Sequence, residues 1–199
     1  MFMNKRQRKK RTRIENKKLI NEYPFLVPLD FFTGKRVEDI TYDTTILDDM
    51  PIGWKKAFGK LLCEDLKNAL IKTNCLENYD ILQVKEKYGS LRWYDNAQND
   101  EIRDVIEKYE YISHFVCVEC GKINVPTINE GWIMPLCEGC YNRNANRKKK
   151  HGLESDYQKA ICSDAKMNTT FEIKKYSKNG DEIIKYDCSD ILKRMKYNI

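Results

Sequence analysis

The chain is 199 residues long, 41% hydrophobic and 33% charged, with eight Cys, nine Gly and five Pro. That length accommodates one domain or two small ones with a real core, and an aromatic content of 11% excludes collagen, low-complexity sequence and full disorder. No apolar run approaches the ~18 residues of a membrane span, and the basic N-terminus lacks the apolar stretch of a secretory signal, so the cytoplasm is the expected compartment.

The net charge of +6 is unevenly distributed. Residues 1–20 hold nine Lys/Arg against one Glu, and residues 143–150 hold five Lys/Arg with no acid. The rest of the chain carries −7 by difference, so the sequence describes an acidic globule with two basic attachments.

In chain order, residues 1–20 read as a polar, basic, flexible arm that ends where Tyr23-Pro24-Phe25-Leu26 begins apolar structure. Pro24 and Pro28 favour an extended path there. Residues 30–51 read as a long surface loop with an acidic stretch, Glu38, Asp39, Asp43, Asp48 and Asp49. A helix over 54–73 follows, capped by Asp48 or Asp49, with Pro51 near its first turn. Its apolar stripe is Trp54, Ala57, Phe58, Leu61, Leu62, Leu66, Ala69 and Leu70. Gly59 within it costs about 1 kcal/mol relative to Ala, which predicts close packing at that point.

Residues 80–95 read as a β-hairpin. Leu82 and Val84 alternate against Gln83 and Lys85, Lys87-Tyr88-Gly89-Ser90 makes the turn, and Leu91 and Trp93 return on one face. A second helix over about 100–114 presents Ile102, Val105, Ile106 and Tyr109. The helix over 54–73 is expected to pack on the hairpin through Phe58, Leu62, Leu66, Val84, Leu91 and Trp93. After the paired cysteines comes a basic, helix-compatible stretch to Lys150. The tail offers a hairpin from Phe171 to Asp187 around Asn179-Gly180 and a short helix capped by Ser189 or Asp190.

These elements predict an α+β protein: a basic arm (1–20), a helix–β-hairpin–helix unit (21–113), a four-cysteine zinc module with a basic helix (114–150) and a C-terminal hairpin and helix (151–199).

Cys117-x2-Cys120 and Cys137-x2-Cys140, 16 residues apart, carry the strongest chemical signal. Zn²⁺ takes four soft ligands in a tetrahedron, and two Cys three apart on a tight turn supply one edge of it. Gly121 eases the chain out of the first turn. Both a treble clef and a zinc ribbon accommodate the pattern, with the helix after Cys140 favouring the treble clef. The alternative is four buried free thiols. Cys63, Cys75, Cys162 and Cys188 lack ligand spacing and read as reduced, inert thiols.

Four thiolates leave one Zn²⁺ no open position, so the site is expected to be structural. A catalytic His-metal finger needs a His near the clef, yet only His114 and His151 exist and residues 121–136 contain none. Nuclease chemistry is disfavoured. No Gly-rich phosphate cradle or Ser/His/Asp set is present, and the residues favour a non-enzymatic protein.

Lys5, Arg6, Arg8, Lys9, Lys10, Arg11 and Arg13 suit phosphate neutralisation, as do Arg143, Arg147, Lys148, Lys149 and Lys150 on a basic helix leaving the zinc site. The bland reading of the arm is a solubilising tail. Within KEKYGSLRWY, Lys85, Lys87 and Arg92 alternate with Tyr88, Trp93 and Tyr94. That mixture fits a base-stacking platform, but a half-buried hairpin explains it more simply. The acidic stretch reads first as a solvated loop and second as a contact for a basic partner.

Tyr23-Pro24-Phe25-Leu26, Phe32-Thr33-Gly34-Lys35, MPIGWKKAFG (50–59), LQVKEKYGSLRWYDN (82–96), CVECG (117–121) and GWIMPLCEGC (131–140) occur in that order. This combination resembles a widespread group of small proteins encoded by tailed phages and prophages, over about residues 9–142. The resemblance implies a phage accessory protein in the cytoplasm of a bacterial host, with the four cysteines as the group's paired metal motif. It implies no particular activity. Nucleic acid or a nucleoprotein is the expected partner. The alternative is a host enzyme or antiphage defence complex, such as a CRISPR effector, that the protein inhibits or adapts.

Overall fold

The computed structural model describes residues 5–30, 32–37, 39–149, 156–163, 166–177 and 180–197. The segment expected as a flexible arm is a helix, α1 (Lys5–Glu22). It shows no apolar stripe because polar contacts hold it. Asn16 is buried and donates from Nδ2 to the Tyr42 carbonyl at 3.1 Å, and Arg13 makes a two-pronged pair with Asp43 at 2.7 and 2.9 Å. Ile20, on the same face three to four residues on, is the only buried aliphatic anchor among α1's described side chains. Both polar partners lie about thirty positions away, beyond the reach of any local pattern.

The expected surface loop is partly core. A Leu29–Arg36 bridge closes its first half. A 3-10 turn at Ile46–Asp49 then buries Ile46 and Leu47, and Met50 follows inward. Thr45 and Asp48 form a reciprocal capping box on this turn, so Asp48 caps the turn and not the following helix. That helix starts one residue after Pro51 as α2 (Ile52–Trp54), passes through a π-turn (Lys55–Gly59) and continues as α3 (Lys60–Lys72). All eight stripe residues are buried.

Strands β1 (Ile81–Lys87) and β2 (Ser90–Asp95) pair antiparallel around Tyr88-Gly89, both at positive φ (54° and 78°), as a two-residue primed turn demands. A bulge between Ile81 and Gln83 shifts the register, so Ile81 and Val84 face inward and Leu82, expected inside, is exposed. Helix α4 (Asp100–Ser113), capped by Asn99, covers the open edge of β2. Ser113 Oγ accepts from the Leu91 N–H at 2.8 Å, and Glu110 Oε1 from the Trp93 N–H at 3.1 Å. Two edge donors that would otherwise be left unpaired are thus satisfied by one helix. All six residues expected to join helix and hairpin are buried in one core, where α4 packs against both α3 and β2. Inside that core Trp93 Nε1 donates to Tyr79 Oη at 2.9 Å, which donates to Asp95 Oδ2 at 3.0 Å.

The metal module runs from a knuckle (116–123) through a short hairpin, β3 (Thr127–Asn129) and β4 (Ile133–Pro135), into α5 (Glu138–Lys149). It extends further than the sequence indicated. Helix α6 (Tyr157–Ala160) and β5 (Ile161–Ser163) return to it, β5 pairing with β3 to give the order β4-β3-β5. Val125, Ile128, Leu136, Tyr141 and Ala160 form a second, smaller core around the cysteines.

The tail hairpin, β6 (Thr170–Ser177) and β7 (Gly180–Asp187), packs on α4 through a stacked series. Tyr111 and Phe171 lie 4.0 Å apart at 8°, and Phe171 and Tyr186 4.9 Å apart at 17°. Asn179 of the expected turn lies outside the described residues. Helix α7 (Ser189–Tyr197) buries Ile191 and Met195 in the main core, and Arg194 reaches Asp65 of α3 at 2.7 Å. Its first turn is held by Asp187, which accepts from the Ser189 N–H at 2.8 Å, and not by Ser189 or Asp190. The tail is therefore continuous with the first core. Among the described residues no helix is long and apolar enough to cross a membrane.

Candidate metal centre and basic surface

The metal centre is assembled by two turns meeting across the module. In the first, the Gly121 N–H donates to the Cys117 carbonyl at 3.0 Å and the Cys117 N–H to the Lys122 carbonyl at 2.8 Å, closing the knuckle; Gly121 holds φ at +85°. In the second, the Cys137 carbonyl accepts from the N–H groups of Cys140 (3.0 Å) and Tyr141 (2.9 Å), so Cys137 immediately precedes α5 and Cys140 sits in its first turn.

The four Sγ atoms lie within 4.8 Å of one another, and Cys120 and Cys137 are 3.7 Å apart. No pair is a disulfide. Tetrahedral coordination with metal–sulfur bonds near 2.3 Å sets the sulfurs ~3.8 Å apart, so the cluster has the dimensions of a metal site. Cys117, Cys137 and Cys140 are buried and Cys120 is exposed. Burial, then hydrogen bonding with Cys137 and Cys120, pushes the Cys140 thiol up, and a divalent cation offsets that cost. These residues can hold a metal ion.

Outer contacts complete the site. Arg143, one turn beyond Cys140, donates from Nη2 to its Sγ at 2.5 Å and lies 3.9 Å from Glu119. Asn144 also donates to Glu119, which sits between Cys117 and Cys120, so α5 grips the knuckle from the side. Arg143, expected to contact phosphate, also reaches the sulfur of Cys140 and keeps most of its side chain exposed. Its spacing of three from Cys140 on a helix was the available signal.

The knuckle docks on the helical unit through glycine. The Gly53 N–H, an unpaired donor of the first turn of α2, donates to the Val118 carbonyl at 2.8 Å. A Cβ on Gly53 would lie 2.1 Å from the Cys117 carbonyl oxygen, and one on Gly121 2.8 Å from the Gly53 carbonyl. Trp54 Nε1 donates to the Val116 carbonyl at 2.7 Å beside them. Close packing therefore falls at Gly53, while Gly59, where it was expected, has only ordinary neighbours at 3.5 and 3.6 Å.

The basic residues divide into three sets. Lys9 and Arg13 pair with Asp43, and Arg11 pairs with Glu15. Arg6 and Lys10 are exposed, one turn apart on α1. The side chains of Lys5, Arg8, Arg147, Lys148 and Lys149, and all of Lys150, lie outside the described residues. The acidic stretch turns inward in part: Asp43 binds α1, and Asp48 binds Lys55. Glu38 lies outside the described residues.

His114 caps the C-terminus of α4, its imidazole pushed down first by burial and then by Arg92. His151 lies outside the described residues. Cys63 and Cys188 are buried thiols; burial pushes Cys63 well up and Cys188 to about 11, which suppresses their thiolates. Cys75 is half-buried, and Cys162 is exposed on β5. No protein-family model, curated protein or solved structure matches the chain.

Proposed function

We propose that the protein is a non-enzymatic phage or prophage accessory protein that holds one structural Zn²⁺ and binds nucleic acid or a nucleoprotein through its basic surface. Four thiolates, three of them buried, suit Zn²⁺ and leave no coordination position for a substrate. The order of knuckle, hairpin and helix, with one cysteine pair on the knuckle and the other at the helix start, supports a treble clef over a zinc ribbon.

The observation that carries the binding reading is α1. Asn16 and Ile20 anchor its second half, while Arg6 and Lys10 stand exposed on its first. A helix presents these charges at fixed spacing and loses less entropy on binding than a flexible arm. Paired with Asp43, Lys9 and Arg13 orient the helix and leave Arg6 and Lys10 for phosphates.

Arg6→Glu with Lys10→Glu should weaken duplex binding and lower the slope of log affinity against log salt by about 2, one unit per lost phosphate contact. Fluorescence anisotropy across a salt series measures both. Unchanged affinity and slope would remove α1 from the interface. Replacement by Co²⁺ should give the absorption of a tetrahedral tetrathiolate, at one metal per chain.

The alternative is a protein-directed inhibitor or adaptor acting on a host enzyme or defence complex. Asp43 and Asp48 are engaged within the chain, which leaves the acidic loop less charge for a basic partner. A stoichiometric host protein that survives nuclease treatment in a pull-down would favour this reading over nucleic-acid binding.

A further inference from the structure

The tips of two hairpins meet beside the metal module. Gly89, in the β1–β2 turn, lies against β4: a Cβ there would be in contact with Ile133 Cγ2, Met134 Cα and Pro135 Cδ, each at 3.4 Å. Between the tips is a groove of about 460 Å³ lined by Tyr88, Trp132, Lys87, Glu86, Asn129 and Ile133. That volume is within the range of ligand sites. Trp132 is 61% and Tyr88 69% exposed, whereas Trp54 and Trp93 are buried.

Two features separate these rings from ordinary surface aromatics. Tyr88 holds φ at 54°, a left-handed conformation that bulky side chains rarely adopt, at a turn position where Asn, Asp or Gly is preferred. Neither burial nor turn chemistry selects tyrosine there, and a strained residue without a packing reason points to function. Trp132 is pinned: its Nε1 donates to Glu86 Oε2 at 3.0 Å, while Glu86 Oε1 accepts from the Gly89 N–H at 2.6 Å. The indole is fixed in place with its N–H already used.

We propose that this groove binds an unstacked base of single-stranded nucleic acid, with Tyr88 and Trp132 as stacking surfaces and Lys87 as the contact to the adjoining phosphate. The proposal deepens the nucleic-acid reading and rests on it for the class of ligand. Stacking needs ring faces, and every base has one to offer. An extended peptide, the other ligand of aromatic grooves, has backbone carbonyls that need donors. The indole N–H is no longer available to them. Both oxygens of Glu86 accept N–H donors, while the Lys87 ammonium lies 5.4 Å over the Tyr88 ring at the edge of the groove, suited to an anionic backbone. Asn129 Oδ1 accepts from the Gly131 N–H, which leaves its amide NH₂ to meet a base edge.

The test uses full-length, metal-loaded protein with labelled oligo-dT, labelled oligo-U and a duplex of equal length. Trp132→Ala and Tyr88→Asn should each weaken single-strand binding about tenfold, the scale of one lost stacking contact, and leave duplex binding unchanged. Tyr88→Asn separates binding from folding, because Asn suits the left-handed turn position and should hold or raise the melting temperature. Among the three tryptophans only Trp132 is accessible, so acrylamide quenching reports the groove directly, and oligo-dT should shield it. A free mononucleotide that shields Trp132 as strongly as oligo-dT would reassign the groove to nucleotides. Single-strand binding that ignores both variants but still depends on Arg6 and Lys10 would overturn the groove and leave the α1 reading standing. Absence of all nucleic-acid binding would overturn both. Shielding of Trp132 by a proline-rich peptide, and not by oligo-dT, would make it a peptide site.

Discussion

Asp43 links the acidic stretch to the basic segment by a contact that neither stretch reveals alone. The Arg13 hydrogen bond, then the charges of Arg13 and Lys9, push its carboxyl down from the ordinary value to about 2. The sign follows from the depression: the pair's contribution is complete above the ordinary carboxylate range and is lost as pH falls through about 2. The Asp43 carboxyl carbon shift should therefore stay flat down to pH ~3, where an unpaired Asp is mostly protonated. At neutral pH, Asp43→Asn should raise amide exchange in α1 while exchange in α3 and α4 stays unchanged. Equal exchange in α1 before and after the substitution would show that Asn16 and Ile20 hold the helix alone. The same pairing explains why Lys9 and Arg13, indistinguishable in sequence from Arg6 and Lys10, take a structural part.

Elements with their own periodicity were legible. The helix through 52–72 shows its core face at i, i+3, i+4 spacing, and the Tyr88-Gly89 turn announces the hairpin. Residues whose neighbours come from distant segments were not. Leu82 reads as inward until the bulge reverses it, and Gly53 reads as an ordinary first-turn residue until the knuckle lies on it. The two helix glycines now predict opposite outcomes. Gly53→Ala forces a Cβ against the Cys117 carbonyl and should cost about 1–3 kcal/mol, the range for overpacking, and speed metal loss to a chelator. Gly59→Ala meets only ordinary contacts and should stabilise by about 1 kcal/mol, from helix propensity. Urea denaturation distinguishes the pair. Equal effects would mean that the knuckle does not bear on α2.

In the whole molecule, two cores share one chain unequally. The larger draws on residues from Ile20 to Met195, so it includes the C-terminal helix that the sequence set apart. The smaller surrounds the cysteines and has few apolar side chains, so a metal held there would supply much of its folding free energy. A chelator should therefore raise amide exchange throughout 117–141 and 157–163 while the core around Phe58, Leu62 and Trp93 stays protected. Because thiolates bind and thiols do not, metal retention should also fall with acid. Uniform loss of protection would show that the cores fold as one unit, coupled through Gly53, Trp54 and the Gly89 contact with β4.

The clustering of the four cysteines that can hold a metal ion was legible in sequence alone, because two Cys-x2-Cys turns carry their geometry within four residues each. The main helices and hairpins were too, through local periodicity and turn chemistry. Only the tertiary structure decided which charges are paired. Arg143 reaches Cys140, Lys9 and Arg13 pair with Asp43, and Arg6 and Lys10 stand exposed, because pairing depends on distances across the fold and not along the chain. It alone also set Tyr88 beside Trp132, 44 positions apart in the sequence, where two hairpin tips meet.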